Sequence, residues 1–142
     1  MQTSARNQFL GTVTAVKKGA VNAEVTLDIG NGAQLAAIIT NDSADHLALE
    51  VGSEAYALVK AQWIILTVET NFKTSARNSL TGIVVRCQEG AVNAEVVIEL
   101  PGGKTVASII TNESVKVLGL KEGVRATAMI KASHLSLIHI SE

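Results

Sequence analysis

Asn22-Ala23-Glu24-Val25-Thr26-Leu27-Asp28-Ile29 reads as a strand, Gly30-Asn31-Gly32 as a hairpin turn, and Gln34 to Thr40 as the returning strand. The same design recurs 71 residues later: Asn93 to Leu100 runs into Pro101-Gly102-Gly103 and returns over Thr105 to Thr111. Working outward, each hairpin is preceded by an extended stretch rich in strand formers, Ser4 to Val16 and Ser75 to Cys87. Lys17-Lys18-Gly19 and Gln88-Glu89-Gly90 read as the turns between them. After each hairpin comes one helical signal, Ser43 to Leu49 capped by Asn41 or Thr40, and Ser114 to Leu120 capped by Asn112 or Thr111. Gly52 and Gly123 are expected to end these segments. Alternating runs from Ala55 to Leu66 and Ala126 to Leu137 close each unit around the corners Lys60-Ala61 and Lys131-Ala132. Three strands, a short helix and two further strands in about seventy residues suggest a small five-stranded barrel of the oligonucleotide/oligosaccharide-binding (OB) type. The expected fold is mostly β: two tandem OB-like barrels, 1–70 and 71–142, each with one short helix. Thr67 to Lys73 is too short for a flexible tether, so the lobes should pack closely.

Pairing residue n with n + 71 aligns Thr3–Leu66 with Thr74–Leu137 without a gap, and 29 of the 64 pairs are identical. The fixed positions are the wrong kind for a core. Apolar positions drift, as in Phe9/Leu80 and Leu27/Ile98, which packing tolerates when volume and pattern are kept. Ser-Ala-Arg-Asn at Ser4–Asn7 and Ser75–Asn78 does not drift, nor does Gly-Ala-Val-Asn-Ala-Glu-Val at Gly19–Val25 and Gly90–Val96. Either these residues hold special geometry in each half or they bind the same thing twice.

A lobe of about seventy residues has a marginal core by itself, so each needs the other lobe or another chain. Net charge is −1, pI about 6.3 and mean hydropathy +0.30, so no overall field draws in a polyanion. Phe9, Tyr56, Trp63 and Phe72 are the only aromatic residues and none recurs at its matching position, which argues against a nucleic-acid stacking platform. Cys87 stands alone opposite Val16 and reads as a small apolar residue, not part of a disulfide framework. With no signal peptide and no apolar run long enough to span a bilayer, the expected compartment is the cytoplasm. Beyond Leu137 the tail fits the repeat poorly, and Ser136, His139 and Ser141 are expected to interrupt its strand.

The recurring polar residues suit an oxyanion. Ser4 and Arg6 share a face of an extended segment, small Ala5 leaves its amide approachable, and Arg offers a fixed fork of donors. A surface Arg pairing with a Glu accounts for the same pattern. Thr40 with Ser43, and Thr111 with Ser114, place hydroxyls at helix starts, where free amides also point outward, although capping alone would explain them. Lys60 and Lys131 are the only cations in otherwise apolar closing runs up to those corners, and the Gly19 and Gly90 turns are candidate backbone nests. Glu24 and Glu95 are expected to pair with a nearby cation or to hydrogen-bond the turn rather than to act as bases. His46, His134 and His139 have no histidine counterpart in the other half and form no zinc spacing, and no catalytic motif appears. The chain is therefore not expected to be an enzyme.

Ser-Ala-Arg-Asn, then Gly-x-Val-Asn-Ala-Glu-Val, then Ile-Thr-Asn-x-Ser, then a late Lys-Ala, in this order and twice, resembles the molbindin, or molybdenum-pterin-binding (Mop), family. Two units in one short chain are similar to its tandem-domain cytoplasmic molybdate-storage members. The resemblance implies a trimeric homo-oligomer binding molybdate, with tungstate as a further ligand; the charge, aromatic content and apolar runs read above lead to an expectation of no membrane or nucleic-acid partner. One class of site would take Ser4, Ala5, Arg6, Lys60 and Ala61 from one unit with Thr40 and Ser43 from a partner unit. Its twin would take Ser75, Ala76, Arg77, Lys131 and Ala132 with Thr111 and Ser114. A second class would use the turns Val21-Asn22-Ala23 and Val92-Asn93-Ala94, the latter weakened where Lys17-Lys18 becomes Gln88-Glu89. The implied role is storage and homeostasis, with a molybdate-sensing or pterin-cofactor-binding regulatory module as the alternative.

Overall fold

The computed structural model describes residues 1–140. Ten strands form two five-stranded antiparallel sheets. Strands β1 (Asn7–Lys18), β2 (Asn22–Gly30), β3 (Ala33–Thr40) and β4 (Glu54–Val59) belong to one sheet, and helix α1 (Asn41–His46) lies between β3 and β4. Strands β6 (Asn78–Glu89), β7 (Asn93–Glu99), β8 (Thr105–Thr111) and β9 (Arg125–Ile130) repeat the pattern, with α2 (Asn112–Leu118) between β8 and β9. Both fifth strands are exchanged. After Lys60 a 3₁₀ turn, Ala61–Trp63, carries the chain across, so that β5 (Ile65–Thr67) pairs with β9. The corresponding turn, Ala132–His134, sends β10 (Ser136–His139) back onto β4. The sheet orders are therefore β10-β4-β1-β2-β3 and β5-β9-β6-β7-β8. The boundary between 1–70 and 71–142 separates two sequence repeats, and each sheet crosses it.

Period-two burial explains the strands. In β2 Ala23, Val25, Leu27 and Ile29 face inward, and in β1 Asn7, Phe9, Gly11 and Val13 do so before a register shift between Val13 and Ala15. The same shift lies between Val84 and Arg86. Gly11 and Gly82 are required by close approach: a Cβ at Gly11 would lie 2.8 Å from Asp28 O, and one at Gly82 2.2 Å from Glu99 O. Phe9, Leu27, Leu35 and Val59 join Val84, Ile98, Leu135 and Leu137 in one buried cluster spanning both halves. That shared core supplements two lobes that are too small alone.

Several expectations need correction. Both helices begin two residues earlier than expected, at Asn41 and Asn112, because Thr40 and Thr111 are the caps: each Oγ1 accepts the amide of the residue three on, at 3.0 and 3.1 Å. The helices end before Gly52 and Gly123, which instead occupy positive-φ turns with amides bonded to Val13 O and Val84 O. Lys17 and Lys18 remain in β1, and Gln88 and Glu89 in β6, so the turns start at the glycines. Ser136 and His139 do not interrupt the tail strand. Leu137 keeps the inward position between them, and the edge location lets Ser136 face solvent. Ser141 lies outside the described residues.

The α2 helix finishes at Gly119 with φ +66°, and its counterpart in the first half is Ala48 with φ +52°. A Cβ in the left-handed region costs about 1–2 kcal/mol. Ala48→Gly is therefore expected to raise stability by about 1 kcal/mol, offset in part by unfolded-state entropy, as read from the urea unfolding midpoint.

Candidate functional site

The exchanged closing segments bring the two Ser-Ala-Arg-Asn stretches against the opposite halves. Asn7 is buried; its Nδ2 donates to Ala107 O and its Oδ1 accepts from Ala107 N, both at 2.8 Å. Asn78 does the same to Ala36, at 2.9 and 2.7 Å. β3 and β8 are edge strands, and each asparagine amide supplies one peptide's worth of pairing to an edge that would otherwise be open. The arginines next to them also cross. Arg77 grips Glu24 with two bonds, Nη1 to Oε2 at 2.6 Å and Nη2 to Oε1 at 2.8 Å, and Arg6 Nη2 pairs with Glu95. Arg86 adds a longer contact to Glu95, 3.4 Å. Pairing with a cation, one of the two roles expected of Glu24 and Glu95, is thus present, and Arg77–Glu24 and Arg6–Glu95 make it between halves while Arg86–Glu95 lies within one.

With the arginines held outward by carboxylates, the remaining residues of the motif frame two small hollows. The first, about 170 Å³, is lined by Ser4, Ala5, Lys60, Trp63, His134 and Ser136 among others. The second, about 80 Å³, is lined by Ser75, Ala76, Lys131, Trp63, His134 and Ile65 among others. Among the described residues neither has a carboxylate in its lining, and each has one lysine with hydroxyl groups beside it. Ala61 and Ala132 are buried first residues of the 3₁₀ turns that follow the lysines. A larger hollow of about 320 Å³ between the hairpin tips contains none of the candidates.

Trp63 and His134 were missed as site residues. They occupy matching positions, 71 apart, and their rings stack with centroids 4.9 Å apart and planes at 39°. Lys60 Nζ lies 5.8 Å from the Trp63 ring centroid, within cation–π range. The only signal in the sequence was position, since each follows a Lys-Ala pair by two residues.

Other candidates lie elsewhere on this chain. Thr40 and Ser43 line neither hollow. Thr40 Oγ1 donates to Ser43 Oγ at 2.9 Å, and Thr111 to Ser114 at 2.8 Å. At the Gly19 and Gly90 turns, Asn22 O and Asn93 O accept the glycine amides at 2.8 and 2.7 Å, while Asn41 N and Asn112 N reach Val21 O and Val92 O. Val21 and Val92 are exposed at the tips, and Ala23 and Ala94 turn into the core. A hollow of about 460 Å³ beside Asn93 and Ala94 is bordered by Glu89 and Glu95 as well as Arg86, an unfavourable balance for an anion. Lys18, the last residue of β1, is paired with Asp45. Cys87 is half-buried against the core, and burial with Glu89 and Glu122 nearby pushes its thiol pKa up, as suits an unreactive residue. His139 Nδ1 lies 2.7 Å from Leu47 O, tying β10 to the end of α1.

Residues 3–66 and 74–137 each match the TOBE domain. This chain belongs to the TOBE family. The tandem Mop resemblance is upheld. The chain is 45% identical over 137 residues to the molybdenum transport protein ModE of Azotobacter vinelandii, covering 96% of this chain and 51% of that protein. It is 45% identical over 138 residues to the molybdenum-pterin-binding protein MopA of Rhodobacter capsulatus, covering 96% and 52%. This TOBE chain therefore spans about half the length of those curated relatives. A solved structure of the cytoplasmic molybdate-binding protein ModG with molybdate bound superimposes at a TM-score of 0.94 with 51% identity, covering 96% of this chain and 98% of that one.

Two predictions concern the crossing contacts. Each orphaned buried backbone group costs about 1–3 kcal/mol. Asn7→Ala should therefore cost about 3 kcal/mol, and Asn78→Ala less, because Ala107 is buried whereas Ala36 is half-buried; urea unfolding of the two variants checks the order. The Arg77 hydrogen bonds, outweighing burial and aided by Lys17, hold the Glu24 carboxyl below its ordinary value. That stabilisation is complete above the ordinary carboxylate range and disappears as pH falls through the lowered folded value. Glu24→Gln should accordingly be less stable than the parent at neutral pH and converge with it in acid, as followed by thermal melts across pH.

Proposed function

We propose that this TOBE chain binds molybdate, and tungstate as a related oxyanion, at sites between its halves and between subunits of a homotrimer. Its role on this reading is storage and homeostasis of molybdenum in the cytoplasm, by binding and not by catalysis. The observation that carries the reading is the near full-length likeness to molybdate-bound ModG, at 51% identity. The two carboxylate-free hollows support it physically. A tetrahedral dianion with four acceptor oxygens needs converging donors and no acids, and Lys60 with Ser4, or Lys131 with Ser75, provides such a set. Ala5 and Ala76 line the hollows with small side chains, their amides donating to Thr3 Oγ1 and Thr74 Oγ1, while Ala61 and Ala132 are buried and line neither. Thr40 with Ser43, and Thr111 with Ser114, would complete these sites from a neighbouring subunit, which explains why they stand apart within one chain. The Val21–Ala23 turn, near Lys17, is the stronger second-class candidate, and Val92–Ala94 the weaker.

A regulatory reading has one observation in its favour: the relatives that this chain matches over half their length include proteins named ModE, among them transcriptional regulators of Escherichia coli and Yersinia pestis. On that reading the chain corresponds to the ligand-sensing half of a longer protein.

Native mass spectrometry with and without molybdate, with sulfate as control, tests the proposal. Discrete molybdate increments on a trimer, absent with sulfate, are expected. Lys60→Ala with Lys131→Ala should weaken uptake by at least about tenfold, the loss of one charge-assisted hydrogen bond per site. A trimer or monomer that takes up no molybdate would overturn the reading.

A further inference from the structure

His134 and Trp63 each line both lysine hollows, so the imidazole stands between the two candidate anion sites. His134 Nδ1 is buried and has no hydrogen-bond partner among the described residues. The ionisable groups around it are Lys131 at the start of its own turn and Lys60 across from it, beside Trp63. β3 packs against this turn and carries no titratable side chain. Among the described residues no Asp or Glu lines either hollow.

A neutral imidazole offers one N–H donor, and an imidazolium two. Within this chain the His134 Nδ1 has no partner among the described residues, and no described carboxylate lines either hollow. A bound dianion reverses both conditions by supplying an acceptor and a counter-charge.

We propose that His134 is an anion-binding residue shared by both hollows, and that it takes up a proton when an oxyanion binds. This inference rests on the oxyanion reading above. A ligand that promotes proton uptake binds more tightly as pH falls. Trp63 holds the ring in place by stacking and does not titrate, so the two halves contribute unlike partners to one shared position.

The test is isothermal titration of the full chain with micromolar molybdate at about pH 6, 7 and 8, in buffers of different ionisation enthalpy. The expected result is net proton uptake on binding, with affinity falling by up to about tenfold per pH unit across the interval of uptake. His134→Gln retains a side-chain donor but cannot titrate. It should still bind, with the proton uptake abolished and the pH slope flattened, while His46→Gln, on exposed α1, keeps both. NMR of the His134 ring in the unmodified chain gives an independent readout, because added molybdate should raise the pH at which that ring titrates. Binding with no proton uptake, or an unmoved His134 titration, overturns this inference alone. No molybdate binding at any pH overturns the oxyanion reading together with it.

Discussion

Two short antiparallel ladders, β10 on β4 and β5 on β9, hold this molecule in its shape. Each joins strands from opposite halves of the chain, so neither sheet is complete until both halves have folded. The packing follows from the ladders. Leu66 and Leu137 are delivered into the core of the other half by the strands that cross, and the shared cluster compensates for lobes that bury too little by themselves. The reciprocal asparagine amides and arginine–glutamate pairs then lock the crossing from its other side.

The candidate site is a by-product of the same crossing. Lys60 is the last residue before the chain turns across, and Lys131 is its twin, so the geometry that exchanges the strands also sets two cations beside the serines of the opening segments. Glu24 and Glu95, the acids near these segments, are paired with Arg6, Arg77 and Arg86, and among the described residues no carboxylate lines a hollow. A nearly neutral chain thereby presents local positive potential where donors converge.

The hairpins, the helix positions to within three residues and the close packing of the halves were legible because each rests on a local signal: Gly30-Asn31-Gly32, a Thr cap, a short connection. The destination of β5 and β10 was not. Leu66 and Leu137 face inward whichever sheet receives them, so the hydrophobic pattern is indifferent to the exchange. Asn7 and Asn78 were visible as polar residues that do not drift, but a buried amide serving an edge strand has the same one-letter appearance as a ligand. The Glu24 and Glu95 pairings could be expected from charge; their direction across the halves required the fold. Ser136 is accommodated because one buried face leaves the alternate position of an edge strand open to a polar residue, whereas His139, on the face of Leu137, is half-buried with its Nδ1 2.7 Å from Leu47 O, a partner that only the fold reveals.

Joining two copies of one unit in a single polypeptide relaxes a constraint that a dimer of identical chains cannot escape. Where two such units meet around an axis, every position facing that axis meets itself, and any substitution is made on both sides at once. In this chain the stacked pair is a tryptophan against a histidine, and the flanking positions hold an isoleucine in one half and a serine in the other. A tandem chain thus has two independently mutable sides at this position, and the molecule carries there a pair of neighbouring hollows whose linings can differ.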